Sequence, residues 1–119
     1  MPGKILLVIK SSPYGNLMAT EGFRVATAMI AMDVLPQLLF IDDGVRCLLK
    51  NQRPEAVGLS SYHERLKTIA DLVGLYALRD SVAKRNLKII EFDESLNVKL
   101  LSTDEAVRLI MENEAAIAF

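Results

Sequence analysis

In LLFIDDGVRCLLKNQRPEAVG, residues 38–58, an apolar run far too short to span a membrane meets two adjacent carboxylates and a glycine. The run suits a buried strand, and Asp42, Asp43 and Gly44 supply the turn chemistry that stops it. Three residues later stands Cys47, the only cysteine of the chain, on what reads as a short helix carrying Val45, Leu48 and Leu49. A strand end, a carboxylate pair and a lone thiol are therefore predicted side by side. In a sheet with helices on both faces, ligands bind outside the carboxyl ends of the strands. That rule makes Asp42, Asp43 and Gly44, with Tyr14 and Gly15 of the loop after the first strand, the candidate binding site.

Upstream, residues 4–9 form a branched apolar run followed by Ser11, Ser12, Pro13, Tyr14 and Gly15, and read as strand one and its loop. From Leu17 the spacing turns helical, with Met18, Gly22, Val25, Met29 and Met32 on one stripe. Residues 26–32 are apolar on the remaining faces too, except Thr27. More than one side must then be covered, either by neighbouring elements of the same chain or by another subunit. Strand two is expected over 35–41, with Pro36 near its start, where a missing N–H does least harm.

Downstream, residues 51–61 contain Pro54 and Gly58 and read as a surface connection. A helix is predicted over 62–73 with Leu66, Ile69, Ala70 and Val73 inward, then strand three over 74–78. A short helix follows over 80–86, capped by Asp80 or Ser81. Residues 87–92 and 98–101 are two candidate strands, which either join the main sheet or make a hairpin. Ser102 or Thr103 caps a last helix whose first turn holds Asp104 and Glu105, where carboxylates suit the positive end of the dipole. Val107, Leu109, Ile110 and Met111 furnish its apolar residues, and 115–119 forms a final strand. Near-continuously apolar strands alternating with helices imply a three-layer α/β/α domain with a mainly parallel sheet of about five strands.

At 119 residues the chain is expected to be a single domain, 1–119, burying roughly two-thirds of the surface its unfolded form exposes. A net charge of −1 offers no footprint for nucleic-acid phosphates, so no direct nucleic-acid partner is expected. One cysteine excludes an intramolecular disulfide and any multi-cysteine metal site. The apolar run near the N-terminus has neither the flanks of a signal peptide nor the length of a span, which predicts a cytoplasmic protein without membrane contact. The positive mean hydropathy adds weight to a face covered by another subunit, although scattered apolar surface residues also produce it.

The acid pair resembles a magnesium or phosphoacceptor corner, because adjacent carboxylates can share a hard cation. A receiver-like module using Asp42 and Asp43 is one reading. Against it, strand three offers no acid at its end before Arg79, and the final strand, AAIAF, has no lysine for phosphate. The plainer reading has both aspartates bonding the turn and capping the helix behind it. Cys47 reads as a sulfur acceptor activated by Arg46 and Lys50, or else as a small buried hydrophobe beside Leu48. His63 has only Glu64 next to it, and adjacent helical residues do not share a face, so no metal site is expected. Gly3, Gly15 and Gly22 lack the spacing of a phosphate-binding loop, and no cofactor is expected.

The combination of Ser12-Pro13-Tyr14-Gly15 after strand one, Glu21 in the helix, and Ile41-Asp42-Asp43-Gly44-Val45 followed by Leu48 and Leu49 resembles the DsrE/DsrF-like sulfur-relay family. The DsrF/TusC type of subunit is the nearest. The resemblance continues through Asn51-Gln52, Glu55-Ala56-Val57-Gly58 and Arg79-Asp80-Ser81, and closes at Phe119, so it runs along nearly the whole chain. It implies a small α/β/α domain assembling as trimers or hexamers, with itself or with DsrE/DsrH-type (TusD/TusB-type) relatives that pass persulfide sulfur towards tRNA thiolation or sulfur oxidation. Sulfur-carrying relatives of this kind place a cysteine at the end of strand three. Here Leu78-Arg79-Asp80 holds no thiol. The resemblance thus implies a non-carrying subunit with no catalytic residue, Cys47 lying elsewhere.

Overall fold

The computed structural model describes residues 4–15, 17–50, 52 and 61–119. Apart from Gln52 and Ser61, the predicted connection over 51–61 lies outside the described residues, as does the side chain of His63.

Five apolar residues, Ile5–Ile9 (β1), form an interior strand of the sheet, and four of them are buried. They pair in parallel with Gln37–Phe40 (β2) on one side and Ala115–Ala118 (β5) on the other. Leu75–Leu78 (β3) and Lys99–Leu101 (β4) extend the sheet beyond β2, giving the order β4-β3-β2-β1-β5 with every pairing parallel. Side chains of successive residues alternate between two cores. Leu7, Ile9, Leu38, Phe40, Leu75 and Ala77 face the larger core, and Leu6, Val8, Leu39 and Leu101 face the smaller.

Connection handedness decides what covers each face. From β1 to β4 the chain advances across the sheet in one direction, and right-handed crossovers put the intervening elements on one side. Those elements are Met18–Ala31 (α1), the 3-10 helix Asp42–Leu48, Tyr62–Lys67 (α2) and Arg79–Lys84 (α3), all contributing to the larger core. The step from β4 to β5 runs back the other way, so Thr103–Glu112 (α4) lands on the opposite face, where Ala106 and Leu109 pack. Among the described residues α4 alone covers that side. The architecture is the expected α/β/α fold, with unequal outer layers.

Several element readings are corrected. Residues 87–92 are not a strand; they form a single 3-10 turn, Ile89–Glu91, and Phe92 makes one antiparallel bridge to Leu49. The segment 98–101 does join the main sheet, as edge strand β4. The helix predicted over 62–73 stops at Lys67 and continues as turns, which still bury Ile69 and Val73. In α1 the buried stripe is Ala19, Gly22, Ala26 and Met29, while Met18 and Met32 are exposed. Small residues win because the helix lies close to the sheet: a Cβ on Gly22 would sit 2.4 Å from Ile9 Cδ1 and 3.2 Å from the Phe119 ring. At the end of α1, Met29 is buried whereas Ala28, Ala31 and Met32 face outwards. In α4 likewise Val107, Ile110 and Met111 point outwards. Its N-terminus follows expectation, with Ser102 Oγ accepting from the Glu105 amide at 3.2 Å and the Glu105 carboxylate from the Ser102 amide at 2.9 Å. Such a capping box stabilises a helix by about 1 kcal/mol.

Candidate functional site at the strand ends

The strand-end turn is built by backbone proximity. After Phe40 the chain keeps one more sheet bond, Ile41 N–H to the Ile9 carbonyl at 3.0 Å, then folds tightly with Gly44 N–H donating to the Ile41 carbonyl at 2.8 Å. A Cβ on Gly44 would lie 1.9 Å from the Ile9 carbonyl oxygen, so only glycine fits against the end of β1. Asp42 takes up the reversal with φ of 49°, a left-handed conformation in which short polar side chains are tolerated.

Neither aspartate caps the helix, contrary to expectation. The cap position is Ile41, without a side-chain bond, because Asp42 and Asp43 already belong to the first 3-10 turn. Their bonds reach instead to α3. Asp42 N–H donates to Ser81 Oγ at 2.9 Å, and Arg85 Nε donates to the Asp43 carboxylate at 2.9 Å, with Arg46 Nε 3.9 Å away. Ser81 is not an N-cap either: α3 starts at Arg79 directly after Leu78, and Ser81 is buried beneath the 42–43 turn. Among the described residues, no group of three or more His, Cys, Asp or Glu side chains is placed to hold a metal ion.

Cys47 is fully buried, in the larger core with Val45 and Leu48. Its thiol donates weakly to the Ser11 carbonyl at 3.8 Å. Burial pushes its pKa far above the usual thiol range, leaving the neutral form at physiological pH. Arg46, next along the chain, is exposed and turned towards Asp43, so it does not activate the sulfur. At the end of β3, Arg79 and Asp80 are exposed and Asp80 pairs with Lys84 at 3.1 Å.

Above the cysteine lies a polar relay of two side chains, Tyr14 and Gln52, joined by the backbone amide of Tyr62. Tyr14 O–H donates to the Gln52 carbonyl oxygen and accepts from the Tyr62 amide at 2.9 Å. Gln52 Nε2 donates to the carbonyls of Leu49 at 2.8 Å and Cys47 at 3.1 Å. Tyr62, itself buried, donates its O–H to the Ala19 carbonyl at 2.6 Å and meets Phe23 edge to face. Beside this relay opens a cavity of about 440 Å³ lined by Ser12, Pro13, Tyr14, Arg46, Leu49, Gln52 and Glu91. Of the five expected binding residues, Tyr14 alone lines it. Gly15 is exposed with φ of 97°, Gly44 is sealed against β1, and Asp43 connects to the cavity only through Arg46. Gln52, Tyr62, Ser81 and Arg85 were missed as parts of this region. Their bonds to Tyr14, Asp42 and Asp43 cross 38 or more residues, and no local spacing announces them.

Residues 3–119 match the model of the DsrE/DsrF-like family. The chain is 25% identical to the intracellular sulfur oxidation protein DsrF of Allochromatium vinosum, over 98% of this chain and 96% of that one. It is 30% identical to the TusC homolog of Aliivibrio fischeri over 82% and 92% of the two chains, and 29% to protein TusC of Buchnera aphidicola subsp. Baizongia pistaciae over 98% of each. Among solved structures, the ychN protein of E. coli superposes with a TM-score of 0.85 at 18% identity, covering 99% of this chain and all of that one. A protein of unknown function from Methanobacterium thermoautotrophicum gives 0.71 at 13%, with the same coverage. The two structures speak for the fold and the family match for descent: this chain belongs to the DsrE/DsrF-like family.

Proposed function

We propose that the chain is a non-carrying, structural subunit of an intracellular sulfur-relay complex, handling persulfide sulfur for tRNA thiolation or sulfur oxidation. The reading takes it as one DsrE/DsrF-like domain working in the cytoplasm, beside cysteine-bearing relatives or further copies of itself, as trimers or hexamers. One observation carries it: the single thiol is sealed in the core, and the strand-three end has none. Persulfide transfer needs an exposed thiolate to attack the donor sulfur. Family membership and relatives named DsrF and TusC support the relay context. Outward-facing Met32, Val107, Ile110 and Met111 support the assembly, since apolar surface of this kind is what subunit contacts cover. Among the described residues no helix is long and apolar enough to cross a membrane.

The test is mass spectrometry of the native chain after incubation with a persulfide donor, alone and coexpressed with a cysteine-bearing relative. The expected result is no sulfur gained by this chain and stable copurification with the relative. A stoichiometric gain of one sulfur, abolished by Cys47→Ser, overturns the proposal. The cavity beside Tyr14 favours one further role, holding a small ligand or a loop of a neighbouring subunit.

A further inference from the structure

Among the described residues β5 stands at the free edge of the sheet with all four residues, Ala115 to Ala118, exposed. The opposite edge, β4, is guarded: it is three residues long and carries the exposed Lys99. Short charged edges resist pairing, whereas an uncharged alanine-rich edge without proline or bulge invites it. Phe119 uses both its N–H, to the Val8 carbonyl at 2.8 Å, and its carbonyl, from Lys10 N–H at 2.8 Å, towards β1. Alternate residues of a parallel strand point their peptide groups the same way, so the groups of Ile117 also face β1. Those of Ala116 and Ala118 face outwards.

We propose that β5 pairs antiparallel with β5 of a second copy of this chain, across a two-fold axis at Ile117. The inference rests on the assembly reading above and names one contact of that assembly. With Ala116 opposite the partner's Ala118, the outward amides and carbonyls of both residues are all used, and the two sheets become one of ten strands. Ile117, 44% exposed beside Leu7, then faces its own copy across the axis on the α1 side. Charge selects the antiparallel direction. Exposed Glu114 precedes β5, with Lys4 of its own chain beside it, and exposed Lys10 lies at the far end next to Phe119. Antiparallel pairing brings Glu114 of each copy to the other's Lys10 end, whereas parallel pairing sets Glu114 against Glu114. The last turn of α4, with the exposed Ile110 and Met111, leads into β5 and continues the apolar surface on the other face.

The test uses the full chain carrying Ile117→Cys, oxidised under native conditions and read on a non-reducing gel with peptide mass spectrometry. Facing residues of a non-hydrogen-bonded antiparallel pair have Cα atoms about 4.5 Å apart, within disulfide reach, and Cys47 is buried and does not compete. A dimer linked through residue 117 is expected. Ala116→Pro removes an outward amide and leaves the ladder to β1 intact, so the dimer weakens by about tenfold or more in sedimentation equilibrium while the melt stays cooperative. Should that variant not fold, Ala116→Lys puts charge on the edge without touching the backbone and is expected to weaken the dimer likewise. An assembled protein that neither cross-links through residue 117 nor responds to these variants overturns the inference and leaves the assembly reading standing. A chain that is monomeric at high micromolar concentration overturns the inference; failure to retain a cysteine-bearing relative as well overturns both.

Discussion

Gly44→Ala is expected to be among the most damaging single-methyl additions to this chain. Its Cβ would fall 1.9 Å from the Ile9 carbonyl oxygen, 2.6 Å from the carbonyl carbon and 3.2 Å from the Lys10 nitrogen, all backbone atoms that no rotamer change can move. Relief requires the 42–48 segment to retreat from the end of β1. Overpacking of this kind costs about 1–3 kcal/mol, and retreat strains the Ile41–Ile9 bond of 3.0 Å, worth about 1 kcal/mol more. Gly44 does not have a positive φ, so alanine would otherwise stabilise by about 0.5 kcal/mol through the unfolded state. The net expectation is a loss of about 2.5 kcal/mol, or roughly 10 °C in Tm for a chain of this size. Urea and thermal unfolding followed by circular dichroism at one fixed protein concentration measure it, concentration being held because subunit association raises apparent stability. Gly15→Ala is the control: its Cβ meets nothing within 4 Å but its φ is 97°, so only backbone strain of about 1–2 kcal/mol is expected. A Gly44→Ala chain as stable as the parent, or less affected than Gly15→Ala, would refute the close approach.

Tyr14→Phe removes the acceptor of the Tyr62 amide and the donor to Gln52; a loss of about 1–3 kcal/mol in urea unfolding is expected, with faster proteolysis of the Gln52 region. Ser102→Ala abolishes the side-chain half of the α4 capping box and should cost about 1 kcal/mol in the same assay. Burial works to raise the Asp93 pKa, but bonds from Ser95 at 2.7 and 3.0 Å and from Lys67 at 3.1 Å outweigh it and hold the carboxyl below its usual range. Its contribution is therefore present above about pH 4 and lost as pH falls through the lower folded value. Asp93→Asn should flatten the acid limb of the stability curve, and an unchanged limb would contradict this. Native Cys47 should not react with a chromogenic disulfide reagent until the chain unfolds, so modification rates should rise with urea in step with the circular dichroism signal.

Strand and helix order was readable because each strand is a near-continuous apolar run and each helix carries a stripe, and the all-parallel sheet follows from the crossovers between them. Which side of a helix faces inward was less readable. In α1 the helical stripe through Met18, Gly22 and Met32 takes in the large methionines and leaves out Ala19 and Ala26, yet close helix–sheet packing selects the small residues. In α4 the apolar set of four contained only one inward residue, Leu109. Residues 87–92 look like a strand by composition, but β4 takes the place beside β3, and of this segment only Phe92 is paired, in one bridge to Leu49. At the strand ends the turn itself was legible and its bonds were not: Asp42 to Ser81 and Asp43 to Arg85 span about a third of the chain's length in sequence.

The same bonds explain why an acid pair at a strand end serves shape here. Asp42 accepts a left-handed conformation so that Gly44 can press on β1, and Asp43 ties the turn to Arg85 at the end of α3. The turn in turn directs the 3-10 helix inwards, and Cys47 goes with it into the core, under the Tyr14–Gln52 relay. Exposing that thiol would require breaking the relay and lifting Val45 and Leu48 out of the core together, which is close to unfolding the segment. A turn that locks the strand ends and a sealed thiol are consequences of one packing arrangement, and both suit a chain that holds a sulfur-carrying neighbour in place better than one that carries sulfur.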